Sequence, residues 1–436
     1  MIRRNEKDVY RRLGRKIDNL TVRAPWNKTF LSILKKVYTV EEAELLIKMP
    51  YTLSSLERIA EVAKVEKTRL ETLLDSLCSK GLILDLYHEN HGQYYYMPSP
   101  LLVGIFEFTM MREGDIDDKK ECAKLFQEYF QEFYPANFSQ NEHVSILRVI
   151  PVEETIRPSE YIEFMDYEKA SSLIENSHRL ALGLCSCRNE KSLIHEKECD
   201  TPMNNCSALG AGADYTIRHN MAREVSRSEM LENFAQSKEL GLVLCAENTK
   251  RNPMVICHCC KCCCNYLAGL NKFGFMNSTV TSNFISQIDD SLCKGCGKCV
   301  DVCPVNATSL ISANDPKHVK KKMAAVDAER CVGCGVCALK CPTDAIAMIQ
   351  RVSRVIHPET TFERIILLSL ERGNLQNQIF DNPESMTQEI MRTFIGSFLK
   401  LPPVKKALMS DMFRSTFLSS ARTLAMLQGK GWMLDI

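Results

Sequence analysis

The spacing of apolar and polar positions divides the chain into stretches of different kinds. Residues 1–28 are polar and basic: Arg3, Arg4, Lys7, Arg11, Arg12, Arg15 and Lys16 outweigh Glu6, Asp8 and Asp18, and Pro25 marks a break, so they read as a basic helical arm. Across 29–100 the pattern is helical three times and then strand-like twice. Thr39 with Glu42 and Ser54 with Glu57 have capping-box spacing, which predicts helices opening beside them. A third helix, Lys67 to Lys80, stops at Gly81. Ile83 to Tyr87 and Gln93 to Met97 are β-rich and flank His88, Glu89, Asn90, His91 and Gly92, which is a hairpin signal. Three helices and a hairpin predict a winged-helix domain.

Residues 101–180 carry little pattern beyond a helix from Lys119 to Phe133, ended before Pro135, and read as a mixed linker. In 181–284, a cysteine-rich domain, Ser226 and Glu229 open a helix that ends at Gly241, and Leu242, Val243 and Leu244 follow as a strand. Residues 285–350 form a second cysteine-rich unit. In 351–436, Thr360 with Glu363 and Ser385 with Gln388 open helices, and Pro402 with Pro403 ends the second, which predicts a helical C-terminal region. The fold class is α+β with several domains, as a chain of 436 residues allows.

No apolar run approaches the roughly 20 residues of a membrane span, so none is expected. The opening Met1, Ile2, Arg3, Arg4 does not read as a secretory signal, and a cytoplasmic location is expected. Lys and Arg (55) nearly cancel Asp and Glu (54), so the whole chain has no charge that seeks nucleic acid or an anionic membrane. Residues 30–100 hold 8 Lys and Arg against 10 Asp and Glu. The third helix sets Lys67, Arg69 and Lys80 against Glu66, Glu71 and Asp75, with Leu70, Leu73, Leu74 and Leu77 expected on its presented face. This argues against a nucleic-acid partner and for a protein-docking or dimerising module; the basic arm points the other way.

The 21 cysteines change the picture, because 19 of them fall between Cys185 and Cys341 in tight groups, with only Cys78 and Cys122 outside. In a reducing compartment such grouping signals metal or redox chemistry. Cys293, Cys296, Cys299, Cys303-Pro304 and Cys331, Cys334, Cys337, Cys341-Pro342 are the run C-x2-C-x2-C-x3-C-P written twice. Three closely spaced thiolates wrap three corners of a cubane, and glycines at 295, 297, 333 and 335 permit the tight loop. The fourth cysteine of each run ligates the other cluster. One [4Fe–4S] cluster is therefore expected on Cys293, Cys296, Cys299 and Cys341, and a second on Cys331, Cys334, Cys337 and Cys303. This part resembles the bacterial two-cluster ferredoxins, with a longer connection over 312–325 whose Lys317, Lys320, Lys321 and Lys322 read as a solvated loop, or alternatively as a dock for an acidic partner. The doubled run is far more specific than zinc spacing.

Cys185, Cys187, Cys199 and Cys206 are expected to form a third metal site, either an iron–sulfur cluster, with one position exchangeable for a thiol of the 257–264 run, or zinc; reactive or structural thiols are the remaining alternative. The six thiols between Cys257 and Cys264 cannot all reach one metal, since neighbours on a strand face opposite ways. His195 and His258 read as hydrogen-bonding neighbours rather than ligands. The spacing C-x3-C-x2-C does not occur there: Tyr266 stands where the third thiol belongs. The two clusters imply relay of single electrons to or from redox partner proteins. A redox-sensing winged-helix regulator and a subunit of a catalytic oxidoreductase using the middle thiols are the alternatives. No dinucleotide fingerprint supports the latter, since Gly210 and Gly212 lack a third glycine.

Taken together, the predicted winged helix, the Cys185–Arg188 segment with its two following cysteines, the 257–264 thiols, the doubled ferredoxin run and the stretch Glu371 to Asn377 resemble the uncharacterised 4Fe–4S binding domain proteins of anaerobic bacteria. That resemblance implies iron–sulfur binding and a redox role, and brings no substrate with it.

Overall fold

In the computed structural model, which describes residues 2–112, 114–138, 144–159, 165–273, 281–313, 321–352, 355 and 357–435, the first helix is not a free arm. α1 (Ile2–Asp18) puts Val9, Tyr10, Leu13 and Ile17 into one core with α2 (Lys28–Val37) and α3 (Val40–Lys48). These positions recur at helical spacing between basic ones, so Arg11, Arg12 and Arg15 ride on the outside of a core helix. Lys16 is the exception. It is buried, donates to Met49 O at 2.5 Å and sits 3.4 Å from the centre of the Tyr51 ring, and burial pushes its pKa well down.

The capping box of Thr39 and Glu42 opens α3 with both reciprocal bonds made. The next helix, α4 (Leu56–Ala63), is capped by Ser55, which accepts from Arg58 N at 3.3 Å, and not by Ser54. The reason is that Ser54 and Ser55 pair with Tyr96 and Tyr95 as the two-residue strand β1 (Ser54–Ser55), and only the second is placed at the turn into the helix. α5 (Lys67–Ser79) then leads into the hairpin β2 (Ile83–His88) and β3 (Gln93–Pro98), giving a sheet of order β1-β3-β2. Leu70, Leu73, Leu74 and Leu77 face the core rather than the presented surface; the outer face of α5 carries Lys67, Arg69, Glu71 and Asp75.

Residues 101–180, expected as a linker, are shared between two units. α6 (Phe106–Met111) and α7 (Ile116–Phe138) complete the first core through Phe106, Phe126 and Phe130, and α7 continues past Pro135. β4 (Leu147–Ile150) is instead the edge of a six-stranded antiparallel sheet built with β5 (Leu180–Gly183), β6 (Cys206–Leu209), β7 (Ala222–Glu224), β8 (Val243–Glu247) and β9 (Val255–Cys259) in the order β4-β8-β9-β6-β5-β7. Around it lie α8 (Ala170–Glu175), α9 (Ser186–Leu193), α10 (Ala211–Arg218), α11 (Arg227–Glu239), capped by Ser226, and α12 (Asn265–Phe273).

All five residues of β8 are buried, because the sheet is covered on both faces. Leu244 and Ala246 join Leu173, Ile174, Met230 and Phe234 of α8 and α11 on one side. Val243 and Cys245 face the second cysteine-rich unit on the other.

That unit repeats one plan twice: β10 (Phe284–Ile288), α13 (Lys298–Val302) and β11 (Thr308–Ser312), then β12 (Lys322–Val326), α14 (Val336–Leu339) and β13 (Ile346–Gln350). β10 pairs with β13 and β11 with β12, both antiparallel. Lys317 and Lys320 lie outside the described residues; Lys321 and Lys322 are exposed.

The C-terminal helices are α15 (Thr361–Arg372), α16 (Leu375–Ile379), α17 (Met386–Leu399), α18 (Pro402–Met409) and α19 (Asp411–Leu427). Pro402 and Pro403 follow α17 and also supply the first turn of α18, where a missing N–H leaves nothing unpaired. α15 docks on the end of β8 through a buried ion pair between Arg364 and Glu247. Among the described residues no helix is long and apolar enough to cross a membrane.

Candidate functional site

Each ferredoxin-type loop is pressed against the backbone of a strand. Gly295 has φ +64°, and a Cβ there would stand 2.0 Å from Lys322 O on β12; Gly333 has φ +74°, and its Cβ would stand 2.2 Å from Phe284 O on β10. Only glycine tolerates both the dihedral and the approach. So held, the loops enclose two cavities. The first is lined by Cys293, Cys296, Cys299 and Cys341 together with Ala324, Pro342 and Ile346. The second is lined by Cys331, Cys334, Cys337 and Cys303 together with Pro304, Val305 and Ala307. Each wall takes three thiols from its own loop and the fourth from the other.

The donors around these thiols are the kind that favours a sulfur anion. Ala307 N donates to Cys303 Sγ at 3.1 Å, Ala324 N to Cys293 Sγ at 3.5 Å, and Ser286 Oγ lies 3.1 Å from Cys337 Sγ. Burial nevertheless pushes Cys337 up to about 12, and Cys334 well up. Four thiols in so apolar a pocket are stable as thiolates only with a metal charge among them, so the donor set fits iron–sulfur ligation. The two cavities differ in access. All four thiols of the second are buried, whereas Cys296 of the first is exposed, flanked by exposed Lys294 and Lys298.

The four thiols expected as a third site are not brought together. Cys185 caps α9, Cys187 lies in its first turn and Cys206 opens β6, while the loop between α9 and β6 carries Cys199 elsewhere. Cys199 Sγ lies 3.8 Å from Cys260 and 3.9 Å from Cys263, and Cys262 lies 4.0 Å from Cys260 and 3.4 Å from Cys263. Cys185, Cys187 and Cys206 have Cys257 and Cys264 as neighbours instead, and burial pushes Cys185 up to about 12. The turn after β9 thus sends Cys260, Cys262 and Cys263 one way and Cys264 the other, in line with the rule that this run cannot serve one metal.

His258 is buried with both ring nitrogens taken, Nε2 by Ser207 Oγ at 2.8 Å and Nδ1 by Ser237 Oγ at 2.7 Å. Burial and then Arg188 hold its pKa down to about 3. It is a neighbour of the thiols and has no nitrogen left to ligate. Arg188, noted in the sequence only as part of the Cys185–Arg188 segment and given no role there, is fully buried; it donates to Pro202 O at 2.9 Å, to Asn205 Oδ1 and to His258 O, and lies beside Cys260. Its signal in the sequence was an arginine next to the first cysteine pair. Cys263 and Arg188 together hold Cys260 down to about 5.

The thiol groups fall into two apolar clusters that meet at the second cavity. Cys337 of that cavity packs with Cys293 and Cys299 of the first. Its other three thiols, Cys303, Cys331 and Cys334, share a cluster with Cys245, Cys259 and Cys264 of the middle unit.

The 4Fe–4S dicluster domain family matches this chain over residues 292–345. No curated protein and no solved structure matches it. The match supports an iron–sulfur electron-transfer role in general terms, with redox partners, and at least one [4Fe–4S] cluster.

Proposed function

We propose that the protein is an electron relay that holds one [4Fe–4S] cluster on Cys293, Cys296, Cys299 and Cys341 and a second on Cys331, Cys334, Cys337 and Cys303. The observation that carries this reading is the lining of the two cavities, each by four cysteines with the fourth taken across. Bound there, such clusters supply one-electron chemistry at potentials set by burial and by hydrogen bonds to sulfur. The chain's own residues do the rest. Ala307 N and Ala324 N aim at ligand sulfurs, and the aliphatic walls keep water out. The exposed rim at Cys296, with Lys294 and Lys298, is the face offered to an acidic partner. A third cluster is proposed on Cys185, Cys187 and Cys206 with Cys257 or Cys264, the neighbouring thiols of the 257–264 run, in place of Cys199.

For residues 29–100 we propose a winged-helix module used for docking. After α2, the order α3, β1, α4, α5 and the hairpin of β2 and β3 supports the fold. The docking role is supported by the outer face of α5, where Arg69 is forked onto Glu41 (2.5 to 3.0 Å) and Lys67 pairs with Glu57 at 3.3 Å, so its cations are already matched. The test of the relay is iron and acid-labile sulfide analysis of anaerobically prepared protein, with EPR of the reduced form. About eight irons per chain, or about twelve with the third cluster, are expected. About four, with zinc making up the difference, would sink it.

A further inference from the structure

The sulfur spacing around Cys199 differs in kind from that in the ferredoxin-type cavities. Four thiolates sharing one tetrahedral ion at about 2.3 Å stand about 3.8 Å from one another. A cubane distributes its four thiolates over four irons, so they stand further apart. The Sγ atoms of Cys199, Cys260, Cys262 and Cys263 all lie within 4.8 Å of one another, and four of the six pairs are separated by 3.4, 3.8, 3.9 and 4.0 Å. Among the described residues, no three of the eight cysteines that line the two cavities gather so tightly. The protein thus carries its own standard for the wider spacing, and this quartet falls outside it.

We propose that Cys199, Cys260, Cys262 and Cys263 bind a single thiophilic divalent ion in a closed tetrahedral shell, separate from every iron–sulfur cluster of the chain. With four protein ligands there is no open position, which makes the site structural rather than catalytic. What it fastens is visible in the fold. Cys199 lies in the connection between α9 and β6, which has no helix or strand of its own, and the other three follow β9 directly. The ion clamps that connection to the sheet. Four thiolates on a divalent ion leave a net double negative charge, and Arg188, fully buried beside Cys260, supplies a fixed countercharge. Zinc and ferrous iron share this chemistry; the coordination is what the geometry assigns.

The test uses the full-length protein prepared without air. Mass-spectrometric metal counting alongside acid-labile sulfide should find about one zinc or sulfide-free iron per chain beyond the cluster iron, and X-ray absorption at that metal's edge should show about four sulfur neighbours at about 2.3 Å. Cys262→Ala should lower that ion at least fivefold while cluster sulfide and visible absorption persist, and Cys206→Ala should leave it in place. Absence of any ion beyond the sulfide-matched iron would overturn the proposal, as would nitrogen or oxygen ligation at the edge. So would retention of the ion in Cys262→Ala or its loss in Cys206→Ala. The edge measurement on the unaltered protein decides even if a variant does not fold, and a failure of the relay reading would appear in the sulfide count instead.

Discussion

Tyr95 of the hairpin and Trp432 of the short turn Gly431–Asp435 stack with ring centroids 3.7 Å apart and planes inclined by 30°. Trp432 also meets His88 and His91 at the hairpin tip, at 5.8 and 6.4 Å. The hairpin is therefore a seat for the C-terminal helices. Trp432→Ala should cost about 3 kcal/mol in urea unfolding, the low end for losing a large aromatic, and Trp432→Phe much less. Equal stabilities would mean that the contact holds nothing.

A duplex reader should show affinity that falls steeply with salt. With Arg69 and Lys67 paired to Glu41 and Glu57 and the hairpin tip against Trp432, the full protein should show no salt-sensitive binding in a fluorescence-anisotropy titration with duplex DNA. Tight, sequence-selective binding at physiological salt would favour the regulator reading.

The close approach of Gly295 to Lys322 O gives the relay proposal a selective test. Gly295→Ala forces the loop from β12 and should remove the first cavity's iron, lowering the total by about four, with the spin-coupled EPR signal of the reduced pair collapsing to that of one cluster. Gly333→Ala should do the same to the second. Unchanged iron in both variants would contradict the ligand assignment.

His357 is buried, bonds Asn248 Oδ1 at 2.8 Å through Nδ1, and is held down to about 3, first by burial and then by Arg148 and Lys250. The unfolded chain takes up this proton near pH 6.5 while the folded one does not. Stability is accordingly full above that pH and should fall by about 1.4 kcal/mol per unit as pH drops toward 3. His357→Gln should flatten the slope by that amount between pH 6 and 5 in urea titrations. An identical slope in the variant would show that other groups set the acid sensitivity.

The parts legible in the sequence are those whose chemistry is local. The ferredoxin spacing is written within a dozen residues and repeated, and the caps at Thr39, Ser226, Thr360 and Ser385 are three-residue signals. Of the middle sheet only β8 was legible, as the apolar run Leu242 to Leu244; the other strands are three to five residues long, too short to show a period. β4 finds its partner β8 across a long stretch of chain, which no short pattern encodes. Basic residues hid the core side of α1. For the thiols, sequence could show that Cys257 to Cys264 must divide, but not which side Cys199 would join, since that depends on the path of a loop without periodicity.

The crossing of the fourth cysteines also sets an order of events during synthesis. The wall of the first cavity includes Cys341, Pro342 and Ile346, so it stays incomplete until the second run has left the ribosome. Cys341 trails Cys299 by about 40 residues, an interval of about 2 to 8 s at about 5–20 residues per second. The second cavity also waits on the later run, for Cys331, Cys334 and Cys337, so neither has its full set of thiols until that run has been made.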